Sequence, residues 1–261
     1  MPLPIDVSPI RAILLDIEGT TTPIDFVFKT LFPFAAEHVQ EFLREHSSNA
    51  DIRALVAELR ATWSGAACSG APVWIESTPE EKIASAAGYV RWLSARDSKI
   101  TPLKTLQGKI WEQGFRSGEL KGEMYPDVAP AFARWREQGR RIAIFSSGSV
   151  LAQKLLFAHS SAGDLSSHIE AYFDTTTGPK REAESYRKIV ATLELRTEQV
   201  LFISDVGPEL DAAKGAQAHT ALCLRPGNPP PEPSSHPAIR TFEEVLPAGT
   251  AAVHGRQGLS P

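Results

Sequence analysis

A small set of polar residues in this sequence could carry out chemistry on a phosphate group. Each lies where a predicted strand stops or where a loop leads into a predicted helix: Asp16, Glu18, Ser146, Ser147, Lys180 and Asp205. In open α/β sheets, ligands bind outside the carboxyl ends of the strands, so these side chains are expected at one edge of a sheet. Acids, hydroxyls and a lysine at one edge suit phosphate chemistry with Mg²⁺, which takes carboxylate, water and phosphate oxygens as ligands.

The acids Asp16 and Glu18 have the spacing of two side chains on the same side of a strand. Asp16 could be a nucleophile that forms an acyl phosphate, and Asp16 and Asp205 could supply carboxylate ligands to the metal. The hydroxyl of Ser146 and backbone amides at a helix start could hold phosphate oxygens, and Lys180 could neutralise charge. Taken alone, Asp16 fits equally well as a strand-end acid that only caps a loop.

The elements that must position these residues follow from the apolar pattern. Short and nearly continuous apolar segments predict buried strands, at residues 10–17, 140–147, 199–206 and 219–225. Helical spacing between them predicts helices over residues 127–138, 181–195 and 208–216, with Asp127 as an N-cap and Pro208 in a first turn. This alternation predicts a doubly wound, Rossmann-like parallel α/β sheet.

The stretch after the first predicted strand, residues 23–122, has a different texture. Helical spacing recurs there without a convincing strand pattern, at residues 26–46, 50–62, 80–96 and 102–117. Because the stretch is too long for a loop, it predicts an inserted, mostly helical cap domain. The α/β core is then expected at residues 1–22 and 123–246, and the tail 247–261, rich in Gly, Ala, Ser and Pro, is expected to be flexible.

The composition argues against several classes of protein. Of the 261 residues 42% are apolar, and the formal net charge of -4 at pH 7 argues against nucleic-acid binding through a basic surface. Cys68 and Cys223 cannot form a disulfide framework and indicate reduced thiols. The first residues lack a signal-peptide pattern, and no apolar run approaches the ~18 residues of a membrane span, so a cytoplasmic protein without a membrane partner is expected. The sequence does not give the oligomeric state, and a monomer is one option.

The strand-end residues resemble the motifs of the haloacid dehalogenase superfamily of phosphatases. Its first motif, a strand ending in Asp-x-Asp-Gly-Thr or a close variant, is matched by DIEGT at residues 16–20. The serine, lysine and acid of the other motifs are matched in order by Ser146, Lys180 and Asp205. The resemblance implies a HAD-like core with a helical cap inserted after the first motif, and a reaction through an aspartyl phosphate with Mg²⁺.

Further segments resemble one family of that superfamily, the enolase-phosphatases E1 of methionine salvage. Those segments are DIEGTTTPIDFV, LKTLQGKIWEQGF, FSSGSVLAQKLLFAHS, FDTTTGPKREAESYRKI and RPGN. The resemblance runs from about residue 10 to about residue 245. It implies a small phosphorylated diketone as the substrate, 2,3-diketo-5-methylthiopentyl-1-phosphate, which is enolised and then loses its phosphate at one Mg²⁺-dependent site.

The resemblance also implies roles for individual residues. The expected catalytic residues are Asp16, Glu18 and Lys180. The expected substrate-binding residues are Ser146, Ser147 and Lys180. The expected metal ligands are Asp16, Asp205 and Glu18, the last through its backbone carbonyl. The Glu18 side chain has three open interpretations: an acid and base for the leaving oxygen and water, a base in enolisation, or a brace for the loop.

Other polar residues carry weaker expectations. Glu209 and Asp211 are interpreted as acids that stabilise a helix dipole rather than as metal ligands, and Ser204 could support the site from behind. Ser147 or Ser149 could cap the helix that begins near residue 150.

Four residues of the predicted cap could face the site: Lys99, Lys104, Gln107 and Trp111. Judged one residue at a time, the favoured interpretation is that Trp111 packs in the core and that the two lysines are exposed to solvent. Lys180 could likewise be an ordinary solvated lysine, and its match to the superfamily motif is the main argument for a functional role.

Other functions compete with the leading interpretation. A sugar-phosphate phosphatase or a phosphomutase of the same superfamily would share the motifs, and a mutase would have to suppress attack of water on the aspartyl phosphate. A catalytically silent binding module would keep the fold, but the intact motif set argues against it. The sequence contains no G-x-x-x-x-G-K-[ST] pattern, which argues against a P-loop kinase.

Overall fold

The computed structural model describes residues 6–65, 70–230 and 232–247 of the chain. Cys68 and nearly all of the tail that the sequence predicts to be flexible lie outside these residues. The described residues fall into two compact units. The sheet unit lies within Met1–Pro23, Glu123–Ser147 and Ser160–Pro261, and the helical unit lies within Ile24–Gly122 and Gly148–His159.

The sheet unit is built on six parallel strands in the spatial order β3-β2-β1-β4-β5-β6. The strands are β1 Ala12–Leu15, β2 Arg141–Phe145, β3 Ala171–Phe173, β4 Val200–Ser204, β5 His219–Cys223 and β6 Ala238–Ile239. All residues of β1 and β4 are buried, on both faces of the sheet, which explains why these strands appear in the sequence as unbroken apolar runs. The predicted parallel α/β sheet is confirmed.

The sequence did not predict β3 and β6. They have 3 and 2 residues, too few to show any periodicity. Each is a strand because of its neighbour: β3 pairs with β2 from Ala143 and Ala171 onward, and β6 pairs with β5.

The helices in chain order are α1 Ile24–Phe26, α2 Phe32–Glu45, α3 Ala50–Gly65, α4 Pro79–Ser94, α5 Thr101–Ser117, α6 Val128–Glu137, α7 Val150–Ala158, α8 Ala183–Thr192 and α9 Gly207–Gly215. In the sheet unit, α8 and α9 cover one face of the sheet, where Leu14 and Phe202 share a buried cluster with Tyr186 and Leu210. Burial of these apolar side chains, worth about 1.5–3 kcal/mol for each large one, holds the strands in place. No helix in the described ranges has both the length and the apolar content that crossing a membrane requires.

The prediction that Asp127 is the N-cap of α6 is confirmed for its position only. Asp127 occupies the N-cap position, but its side chain makes no capping hydrogen bond. Its carboxylate accepts two bonds from Arg225, at 2.9 and 2.8 Å, and one from the backbone N–H of Phe242 at 2.6 Å. A buried guanidinium competes more strongly for this carboxylate than a helix terminus does, because both partners carry charge.

The helical unit contains the described parts of α1 to α5 together with α7. A π-helical turn, Val27–Leu31, joins α1 to α2, so that one continuous helical segment runs through the region predicted as a single helix. A capping box starts α4, because Thr78 and Glu81 bond each other's backbone N–H groups. Ser149 caps α7 by accepting a bond from the N–H of Ala152 at 3.3 Å. The sequence predicts Ser147 or Ser149 as this cap, and the structure confirms Ser149.

Candidate active site

The loop after β1 turns sharply and carries Asp16 at its base. The carbonyl of Ile17 accepts bonds from the N–H groups of Thr20, Thr21 and Thr22, at 3.1, 2.9 and 3.0 Å. β1 ends at Leu15, so Asp16 and Glu18 are not two alternate residues of a strand, as their spacing predicts. Asp16 still affects Glu18, because burial, and then the charge of the Asp16 carboxylate, raises the pKa of Glu18.

Three donors hold the carboxylate of Asp16, which is only 3% exposed. Oδ1 accepts a bond from the N–H of Ile17 at 2.7 Å. Oδ2 accepts from the hydroxyl of Ser204 at 2.9 Å and pairs with Nζ of Lys180 at 2.7 Å. A carboxylate has about four lone-pair positions, so this arrangement fixes its orientation and leaves capacity for a further partner.

Lys180 joins two acids and is itself buried, with 9% of its surface exposed. Its Nζ lies 2.7 Å from Oδ2 of Asp16 and 2.6 Å from Oε2 of Glu209. Burial alone would lower the pKa of Lys180, but the two carboxylates outweigh burial and raise it, so the side chain stays charged. The hydroxyl of Tyr186, in α8, donates to the Lys180 carbonyl at 2.7 Å and fixes the loop that presents the lysine.

Glu209 belongs to this cluster, although its position in the sequence does not indicate this. Glu209 lies in the first turn of α9, as expected for an acid that stabilises a helix dipole. Its side chain, however, is buried against Lys180 rather than solvated. Burial, followed by repulsion from Asp16, raises the pKa of Glu209 to about 7. No signal in the sequence indicates this pairing, because Glu209 and Lys180 come together only in the folded chain. Asp211, one half-turn later, is exposed and pairs with His236 at 3.0 Å, outside the cluster.

Ser204, the last residue of β4, supports Asp16 directly. It is fully buried, and its hydroxyl donates to Asp16 while accepting from the N–H of Val206 at 3.1 Å. The structure thus places Ser204 beneath the carboxylate, in the supporting position that the sequence suggested.

Asp205 follows β4 and faces the loop after β1. Its Oδ2 accepts a bond from Nδ2 of Asn228 at 3.1 Å. Burial, and then repulsion from Asp16, raises the pKa of Asp205 to about 7. Gly19 lies so close to this carboxylate that a Cβ atom there would be 2.2 Å from Oδ2 of Asp205, which only glycine avoids. With a φ of +70°, Gly19 also adopts a backbone conformation that favours glycine.

Ser146 and Glu18 meet on the other side of the cluster. Ser146 is buried at the end of β2, and its hydroxyl donates to Oε2 of Glu18 at 3.3 Å. Burial, and then the charge of Asp16, raises the pKa of Glu18 above its ordinary value. Ser147 is the next residue along the chain and is half-buried.

The donor set fits a small divalent cation. The cluster contains more acids than bases, since Lys180 faces Asp16, Glu18, Asp205 and Glu209. Burial, and then the negative charge of Asp16, raises the pKa of the last three. The buried Oδ1 of Asn228, next to Asp205, accepts no bond from a described protein group. Among the described residues no three His, Cys, Asp or Glu side chains gather as a closed metal site. Two carboxylates with a backbone carbonyl and waters, the set that Mg²⁺ prefers, need no such cluster.

Two of the four candidate residues of the helical unit, Gln107 and Trp111, are buried in its interior. Trp111 is buried and donates its Nε1–H to the carbonyl of Leu31 at 2.8 Å. Gln107 is buried and donates to the hydroxyl of Ser94 at 3.1 Å. Lys99 is exposed and pairs with Asp97 at 2.5 Å, and Lys104 is half-buried in α5. Within this unit the structure agrees with core packing of Trp111 and with solvent exposure of Lys99.

Comparisons with known proteins point to one family. Residues 10–217 match the family of haloacid dehalogenase-like hydrolases. The chain is 51% identical to the enolase-phosphatase E1 of Synechococcus elongatus, over 94% of this chain and all of that protein. It is 46% identical to the enolase-phosphatase E1 of Drosophila virilis, over 89% of this chain and 93% of that one.

A solved structure shows the same fold. The UTR4 protein of Saccharomyces cerevisiae superposes with a TM-score of 0.73 at 33% sequence identity, over 90% of this chain and 99% of the yeast chain. High identity over nearly the full length of the relatives, together with the family match and the shared fold, confirms the resemblance found in the sequence. The chain belongs to the enolase-phosphatase E1 family of the haloacid dehalogenase-like hydrolases.

Proposed function

We propose that this protein is an enolase-phosphatase that acts on 2,3-diketo-5-methylthiopentyl-1-phosphate in methionine salvage. The observation that carries the proposal is the buried cluster in which Lys180 and Ser204 hold Asp16, with Asp205 next to it, at the carboxyl ends of β1 and β4. The substrate is inferred from the family to which the chain belongs. The cluster contains groups that could break the phosphate ester of that substrate.

Magnesium is the proposed cation. The carboxylates of Asp16 and Asp205 and the backbone carbonyl of Glu18 would hold it, because hard oxygen donors are the ligands that Mg²⁺ prefers. When bound, it would offset the repulsion between the attacking carboxylate and the phosphate dianion and polarise the phosphoryl group. Its charge would also balance the excess of acids in the cluster.

Asp16 is the proposed nucleophile for phosphate release. Its carboxylate oxygen attacks phosphorus, the bond from phosphorus to the substrate oxygen breaks, and an aspartyl phosphate forms. Lys180 stays protonated beside Asp16 and stabilises the charge of the phosphoryl group, while Ser146 and Ser147 bind its oxygens. Water then hydrolyses the acyl phosphate and regenerates Asp16.

Glu18 is the proposed proton carrier. Two observations support this role: the pKa of Glu18 is raised, and its Oε2 accepts a bond from Ser146, one of the proposed phosphate-binding serines. In this role Glu18 moves the proton in enolisation, or gives a proton to the leaving oxygen and takes one from the attacking water. A raised pKa favours the protonated form of the carboxyl, which a proton donor requires.

The helical unit is proposed to be a cap domain. This proposal rests on chain order, because residues 23–122 leave the core directly after the loop that carries Asp16. A cap domain that closes over bound substrate would exclude water during enolisation.

The test is a turnover assay on the diketo phosphate that follows enol formation by absorbance and phosphate by a colorimetric reaction. The proposal predicts transient enol, then phosphate, with both signals lost in EDTA and restored by Mg²⁺. A generic phosphate ester such as p-nitrophenyl phosphate serves as the comparison. Phosphate release from that ester without any enol signal from the diketo phosphate would instead indicate a general phosphatase.

A further inference from the structure

The loop after β5 contains an asparagine that touches both sides of the candidate metal site. Nδ2 of Asn228 donates to the carbonyl of Gly19 at 2.9 Å and to Oδ2 of Asp205 at 3.1 Å. Both partners are acceptors, so the hydrogen-bond pattern fixes which end of the carboxamide is the nitrogen. The side chain therefore joins the loop after β1 to the acid after β4, which come from distant parts of the sequence.

Close packing makes this junction specific. A Cβ atom on Gly19 would lie 2.2 Å from Oδ2 of Asp205 and 2.8 Å from Nδ2 of Asn228, so the backbone, the carboxylate and the carboxamide meet without spare room. One oxygen of Asp205 is thereby committed to Asn228, which leaves the other for a further ligand.

A second residue of the same loop anchors Asn228 in place. Arg225 is 6% exposed, and its Nε donates to the carbonyl of Thr20 at 3.0 Å. Its Nη1 pairs with both oxygens of Asp127. Consecutive carbonyls of the loop after β1, those of Gly19 and Thr20, thus accept bonds from two residues of the segment RPGN. The segment RPGN therefore restrains the loop after β1 through these two hydrogen bonds.

We infer that Asn228 is a positioning residue, which holds the Asp205 carboxylate and the loop after β1 in the geometry that binds the divalent cation. The inference rests on the proposed function, since it takes Asp205 as a ligand. Outer partners that orient metal ligands typically contribute 10- to 100-fold to metal affinity. Loss of the Asn228 donors is therefore expected to weaken Mg²⁺ binding more than it slows turnover at saturating Mg²⁺.

The experiment measures Mg²⁺ binding directly, by isothermal titration calorimetry on full-length protein freed of metal, for wild type, Asn228→Ala and Asn228→Leu. Both variants lose the donors, and Asn228→Leu keeps the side-chain volume. The expected result is an increase in Kd of about 10-fold or more for both variants. In steady-state assays the half-saturating Mg²⁺ concentration should rise in parallel, while kcat at saturating Mg²⁺ changes less.

Tyr125→Phe is the matched control. It removes the bond from the Tyr125 hydroxyl to the carbonyl of Pro226, 3.4 Å away in the same loop, without touching Gly19 or Asp205. This variant should bind Mg²⁺ like wild type, and equal weakening in it would overturn the inference by showing that any loosening of the loop suffices. Wild-type affinity in Asn228→Ala, or in Asn228→Leu, would overturn the inference and leave the proposed function standing. A wild-type protein that binds no Mg²⁺ would overturn both.

Discussion

Without a metal, the protein should lose stability as the pH rises, because its acids are crowded in the fold. The pKa of Asp205 is raised from 3.8 to about 7 by burial and by Asp16. Between these two values the unfolded chain has released this proton and the folded protein still holds it. Unfolding therefore releases a proton in this window, and rising pH favours the unfolded state.

The size of the effect follows from the width of the window. Each pKa unit corresponds to about 1.4 kcal/mol, so the two units between pH 5 and pH 7 give at most about 3 kcal/mol for Asp205. Above pH 7 this contribution levels off. Asp205 interacts with Asp16, and the pKa of Glu209 is also raised, so these groups do not titrate independently. The change in the free energy of unfolding due to Asp205 should therefore be about 2 kcal/mol.

The assay is urea unfolding in EDTA at several pH values between 5 and 8, for wild type and Asp205→Asn. The variant keeps the shape of the side chain and removes its charge, so its free energy of unfolding should exceed that of wild type by a margin that grows by about 2 kcal/mol across this range. Addition of Mg²⁺ should restore wild type at pH 8, since the cation favours the ionised acids.

A matched control replaces an acid away from the cluster. Asp51 is exposed in the first turn of α3, and Asp51→Asn should follow the wild-type pH profile. A wild-type stability that is flat or rises between pH 5 and pH 7 in EDTA, or a constant margin for Asp205→Asn, would refute the reasoning about crowded acids.

Three other substitutions test separate parts of the account. Gly19→Ala should weaken Mg²⁺ binding, because the new Cβ would displace Asp205. Gly139→Ala is the control, since Gly139 has the same φ of +70° but no atom within 4 Å of such a Cβ. This control should lower stability by roughly 1–2 kcal/mol without changing activity. Arg225→Met should destabilise the fold by about 3–5 kcal/mol in urea unfolding, because it leaves the Asp127 carboxylate buried without its partner; a loss below about 1 kcal/mol would contradict this. Glu18→Gln should slow enol formation or phosphate release by about 100-fold when the two are followed separately, and wild-type rates for both would leave its side chain without a chemical role.

The sequence predicted much of the sheet because its central strands are buried on both faces. β1 and β4 are almost entirely apolar and fully buried, and β2 and β5 are buried except at their first residues. β3 and β6 escaped prediction, since their strand conformation depends on pairing with neighbours that are distant in the sequence.

The candidate site divides in the same way. Asp16, Ser146 and Asp205 were predictable because a parallel sheet brings the carboxyl ends of its strands to one edge. The pairing of Glu209 with Lys180 and the contacts of Arg225 and Asn228 with the loop after β1 were not, because each joins side chains across the fold. No local pattern in the sequence distinguishes these acids, arginines and asparagines from solvated ones.

In the proposed mechanism, Asp16 carries the phosphoryl group during turnover. The most direct test stops the reaction with acid during turnover, reduces the protein with borohydride, and locates the modified residue by peptide mass spectrometry. An aspartyl phosphate is reduced to homoserine, so the account predicts that mass change at Asp16, dependent on substrate and on Mg²⁺. Reduction at Asp205 or another acid, or none during active turnover, would contradict it.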